Sequence, residues 1–145
     1  MKKAKVLLTL VALLGSVTLL SGHNGPARSE PPSRDRLEDK KIAELMQSKL
    51  RHSQKVLEGV AVGDFKEIAE NAEDLIAISK EAEWRVLKTP QYELRSNEFR
   101  RTADELIKHA EAKNLDAAAL SYVELTMTCV KCHKYVRETR SVRKN

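Results

Sequence analysis

From Leu115 to Val136 the chain carries a stripe that only a helix gathers on one side: Leu115, Ala118, Tyr122, Leu125, Cys129, Cys132 and Val136 recur at alternating spacings of three and four. A near-heptad stripe of this kind must be buried against other helices. Three further stretches show the same period. From Asp35 to Val60 it runs through Ile42, Leu45, Met46, Leu50, Ser53, Val56, Leu57 and Val60, with Gly59 and Gly63 bracketing the end. Asp64 followed by Glu67 resembles a capping box opening a second helix to Ala82, whose stripe is Phe65, Ile68, Ala72, Leu75, Ile76 and Ser79. A longer connection holding Trp84, Pro90 and Tyr92 follows. Ser96 is the expected N-cap of a third helix, with Phe99, Ala103, Leu106, Ile107 and Ala110 facing inward, and Asp116 opens the fourth.

No stretch alternates apolar and polar long enough for a strand. With 145 residues, 4% aromatics, five Gly and four Pro, the composition disfavours a β-sandwich and allows one ordinary domain. The expected fold is therefore all-α, an antiparallel four-helix bundle over 35–145, with neighbouring helices crossing at about 20°.

Ahead of that domain, Lys2, Lys3 and Lys5 precede the apolar run Val6–Leu20 and the small residues Ser21 and Gly22, an order that reads as a secretory signal peptide over 1–22. The run is shorter than the roughly 20 residues of a spanning helix. No stable membrane span is expected once it is removed. His23 to Arg34 is polar and holds Pro26, Pro31 and Pro32, as expected of a disordered linker. Removal of the leader takes three lysines and no acid, so the formal charge falls from +5 to +2. No basic run with interleaved aromatics supports nucleic-acid binding. The expected location is the periplasm.

The two cysteines exclude a disulfide framework. They belong to Cys129-Val130-Lys131-Cys132-His133, a C-x-x-C-H run, the attachment signature of haem c. On a helix the three residues lie near one face, so two thiols can form thioethers to the haem vinyl groups while His133 sits under the iron. A dithiol redox site would place its first cysteine at a helix N-terminus, and a zinc site would need a further ligand cluster that the sequence lacks. No Met or His follows His133, so a second iron ligand must come from upstream.

The C-x-x-C-H run near the end of the last of four helices resembles the class II cytochromes c, the cytochrome c′ family. The resemblance covers about Arg36 to Arg140. It implies a cytochrome c′-like bundle with one covalent haem. Family members often continue C-x-x-C-H-x-x-Tyr-Arg; here Arg137 stands at the arginine position, Val136 at that of the tyrosine, and Tyr135 one residue early. The resemblance also implies that the first helix supplies the residue on the far side of the iron. Met46 is the methionine suited to that position, as an iron ligand or as core packing beside an open iron. Lys49 interrupts the apolar face of the same helix; its alternatives are to snorkel to solvent or to pair with a haem propionate. His52 and His109 are read as rim histidines, and Trp84 and Tyr92 either cover the haem edge or pack at the bundle end.

The basic tail Lys134, Arg137, Arg140, Arg143 and Lys144, against Glu138, complements a helix C-terminus or forms a docking patch for an acidic redox partner. The expected function is electron transfer by Fe(III)/Fe(II) cycling with periplasmic redox proteins. The alternative is an NO/CO-binding cytochrome c′ with five-coordinate haem. No His-Arg or acid pair suited to cleaving an O–O bond is evident, so no enzymatic activity is expected. Relatives of this family often dimerise through their first two helices, so the resemblance allows a homodimer here, although no feature of the sequence marks such an interface.

Overall fold

A computed structural model describes residues 33–142. The leader and nearly all of the His23–Arg34 lead-in lie outside the described residues; Ser33 precedes a helix that already includes Arg34. All regular structure among the described residues is helical: α1 (Arg34–Val62), α2 (Phe65–Ile78), α3 (Pro90–Glu111) and α4 (Leu115–Val142), with a 3₁₀ turn at Ala82–Trp84 between α2 and α3. None of these helices is long and apolar enough to cross a membrane.

The helices begin and end where local chemistry favours it. Gly63, at φ 76°, adopts the left-handed conformation that ends α1, and its amide donates back to the Gly59 carbonyl. Asp64 then caps α2, its Oδ1 accepting from the Glu67 amide at 3.0 Å. Asn114 does the same for α4, its Oδ1 accepting from the Ala117 amide at 3.1 Å.

α3 differs from expectation. It starts at Pro90, six residues before Ser96, with Thr89 Oγ1 accepting from the Tyr92 amide at 3.2 Å. Proline at the first helical position lacks only an N–H that would have no partner there, so Pro90 starts the helix and does not break it. Ser96 is no cap: it is buried, donates to the Tyr92 carbonyl at 3.0 Å and accepts from Trp84 Nε1 at 2.9 Å. Tyr92 accordingly belongs to α3 and not to the connection, and α2 ends at Ile78, short of the expected Ala82.

α1 packs on α2, α2 on α3 and α3 on α4, a sequential helical bundle whose core centres on Val56, Ile68, Ala72, Leu75, Phe99, Ala103, Leu106, Ala118 and Leu125. α1 and α4 meet at few places, and α1 also rests on the 3₁₀ turn. Ser53 Oγ and Tyr122 Oη, 3.5 Å apart, span the two helices. Two expected core residues of α1 are instead exposed, Leu50 and Leu57. Each lies one residue, about 100° of helix, past the buried Lys49 and Val56. The inward arc of α1 is thus centred on Val56 and Lys49, and Leu50 and Leu57 fall on its α4-facing shoulder. Leu115 is likewise exposed, at the first turn of α4.

Candidate functional site

Cys129 stands fourteen residues into α4, past the last turn whose backbone amides point free into solvent. The half-buried Cys129 and Cys132 pack against the core, and neither takes part in a disulfide. Burial pushes the Cys132 thiol above its ordinary range, opposed in part by the Lys49 ammonium. A thiol so held stays protonated at neutral pH, unlike the activated thiolate of a dithiol redox centre.

Beside Cys132 lies a cavity of about 120 Å³ at the α1–α4 side of the bundle. Met46 and Lys49 of α1, Cys132 and His133 of α4, and Trp84 and Tyr92 line it, together with Ile42, Val86, Val136 and Arg140. The structure therefore brings Met46, Lys49, Cys132 and His133 to one cavity although nearly ninety residues of chain separate the first from the last. His133 borders the cavity yet keeps an exposed surface; the partial burial of its imidazole first, and then the positive charges of Lys49 and Arg137, hold it below its ordinary pKa. It is neutral at pH 7, the form with a lone pair free for a metal.

Lys49 does not snorkel. It is 6% exposed, and its Nζ sits 4.3 Å from the Phe99 ring centroid and 4.8 Å from that of Trp84. These rings stack on each other at 5.2 Å. Among the described residues the ammonium has no carboxylate partner, so its charge rests on the two aromatic faces. Tyr92 Oη donates to the Trp84 carbonyl, and burial pushes its hydroxyl up to about 12, with Cys132 adding to the shift.

Other candidates fall elsewhere. Arg137 is exposed and does not line the cavity; Arg140 does, and was legible as the residue two helical turns past His133 on the same side. Tyr135 turns toward α3, where its hydroxyl meets Thr89 Oγ1 at 2.7 Å. His52 faces α2, its Nδ1 3.0 Å from Asn71 Oδ1 and 3.2 Å from Asp74 Oδ2. His109 is half-buried on α3 and is not part of the cavity lining. Arg143 and Lys144 lie outside the described residues.

Comparison with protein-family models, with curated proteins and with solved structures found no match. The geometry must therefore speak for itself. Among the described residues no three His, Cys, Asp or Glu side chains are grouped to hold a metal ion. An iron already carried by a macrocycle needs no such group, because the ring nitrogens supply four of its ligands. The donors lining the cavity are the His133 imidazole, the Met46 thioether sulfur on the facing helix and the Cys132 thiol, with Cys129 three residues earlier on α4 and outside the lining, and the walls are largely apolar. That set suits a haem. The cavity is smaller than a macrocycle, and it lies on the α1–α4 side, where those two helices meet at few places.

Proposed function

We propose that the chain is an exported monohaem c-type cytochrome, similar to the cytochrome c′ family, which carries electrons between periplasmic redox proteins. The observation that carries this reading is that Met46 of α1 and Cys132 and His133 of α4 line one cavity. The haem, when bound, supplies a single electron by cycling between Fe(III) and Fe(II).

The chain's own residues would hold and tune it. Cys129 and Cys132 would anchor it covalently as thioethers to its two vinyl groups. His133, kept neutral, would offer its imidazole nitrogen to the iron, and Met46 would offer a thioether sulfur from the facing helix. Lys49 brings a buried positive charge that lacks a carboxylate, a partner that a haem propionate would provide. Arg137, outside the cavity, adds positive potential on the His133 side. Ile42, Trp84, Val86 and Val136 exclude water, and such a shell sets the redox potential of a haem.

The test is the absorption spectrum of protein made with a c-type maturation system, in ferric, ferrous and ferrous-plus-CO forms. The expected result is covalent haem with a low-spin ferric spectrum, unmoved by CO after reduction, which turns high-spin or solvent-ligated in Met46→Ala. A chain that carries no covalent haem overturns the reading. A high-spin ferric spectrum with ready CO binding replaces electron transfer by NO/CO binding and moves Met46 to a packing role.

A further inference from the structure

α4 is apolar on two sides. Opposite the seam that faces the core, Leu120, Val123, Met127 and Val130 are 64%, 57%, 48% and 51% exposed. Their spacings of three, four and three align them along one outer stripe, and no other helix among the described residues covers it. Beside it runs an open groove of about 400 Å³ between α3 and α4, which Val123 and Met127 border together with Glu98, Arg101 and Lys131. A helix apolar all round is normally covered on both sides.

The stripe reads the same from either end. Asp116 stands four residues before Leu120, and Lys134 four residues after Val130, so the order is acid, four apolar residues, base, at spacings of four, three, four, three and four. A twofold axis midway between Val123 and Met127 lays this stripe on a second copy of itself running the other way. Leu120 then meets Val130 of the second copy, Val123 meets Met127, and Asp116 meets Lys134. A contact made of one patch on both subunits is the kind that closes a twofold dimer. Lys134 is available to take part, since among the described residues its one ion-pair partner is Glu138 at 3.9 Å, an exposed pair of little strength. An unrelated partner would need the apolar residues but not opposite charges at matched distances from their centre.

The geometry points to a homodimer in which two α4 helices pack antiparallel through Leu120, Val123, Met127 and Val130. This differs from the contact through the first two helices that the resemblance allows, and it does not depend on what the cavity binds. A stripe of this length makes a small interface, so association in the micromolar range is expected.

Sedimentation equilibrium of the purified full chain from about 1 to 300 µM tests it, with circular dichroism confirming that each variant is folded. Val123→Glu sets two carboxylates beside the axis and should weaken association at least tenfold. Asp116→Lys should weaken it several-fold, and Asp116→Lys combined with Lys134→Asp should restore it. Three results overturn the proposal: a monomer throughout the range, a dimer unchanged by Val123→Glu, or a dimer lost with Leu50→Glu and Leu57→Glu and retained in Val123→Glu. None of these bears on whether haem is attached, which the spectrum decides separately.

Discussion

Tyr92 shows how one buried hydroxyl binds the site to the stability of the fold. Its pKa rises from 10.0 to about 12 in the folded chain, because burial penalises the phenolate. A group whose folded pKa is raised contributes fully below its unfolded pKa, and the contribution is lost as pH climbs through the folded value. Stability should therefore fall between about pH 10 and 12, where the unfolded chain releases this proton and the folded chain still holds it. The loss is on the order of 2 kcal/mol. Tyr92→Phe should be less stable by about 1 kcal/mol at neutral pH, through the lost bond to the Trp84 carbonyl, yet should show a shallower decline above pH 10. Urea midpoints of both proteins from pH 8 to 12 check this; parallel curves would refute it. Lys49 works differently, by geometry: Trp84 and Phe99 hold its charge from 35 and 50 residues further along the chain.

At the scale of the elements, the turn between α1 and α2 is set by close approach. A Cβ on Gly59 would lie 2.9 Å from Ile68 Cγ1 and 3.1 Å from both the Asp64 carbonyl oxygen and the Ile68 amide nitrogen. Two of these atoms are backbone and cannot swing aside. Gly59→Ala should thus destabilise by about 1–3 kcal/mol of overpacking, against roughly 1 kcal/mol gained in helix propensity. A denaturant midpoint higher than that of the parent chain would contradict the close packing described. The period of the apolar residues made all four helices legible, as did the caps at Asp64 and the turn at Gly63. The start of α3 was not legible, because a proline reads equally as a break or a first residue. A serine likewise looks the same whether it caps a helix or, like Ser96, bonds to Trp84 within one. That Met46 and Cys132 would face inward was legible from helix spacing, and His133 follows Cys132 to the same cavity; that Cys129 would pack on the core outside the cavity lining was not. The clamp on Lys49 was not: a lysine among apolar residues gives no local sign of aromatic faces brought to it by two other elements.

For the whole molecule, each helix among the described residues packs chiefly on its neighbour in sequence, and α1, the first, meets α4, the last, at few places. The candidate cavity lies on the α1–α4 side. In the purified protein without added groups, the amides around Met46 and His133 should exchange faster than those of α2 and the middle of α3, and, if the proposed haem is attached, its attachment should slow them at least tenfold. Hydrogen exchange followed by mass spectrometry measures this; equal protection of all four helices before loading would contradict an open α1–α4 side. The same arrangement has a meaning in time. Contacts between sequence neighbours form early and cheaply, whereas the meeting of α1 with α4 closes a loop of most of the domain. While α1 is still apart, α4 carries Cys129, Cys132 and His133 without its α1 neighbour. On the proposed reading, a haem attached in that interval would meet Met46 only when α1 arrives beside Cys132 and His133, so the order of folding would separate the loading of the site from its completion.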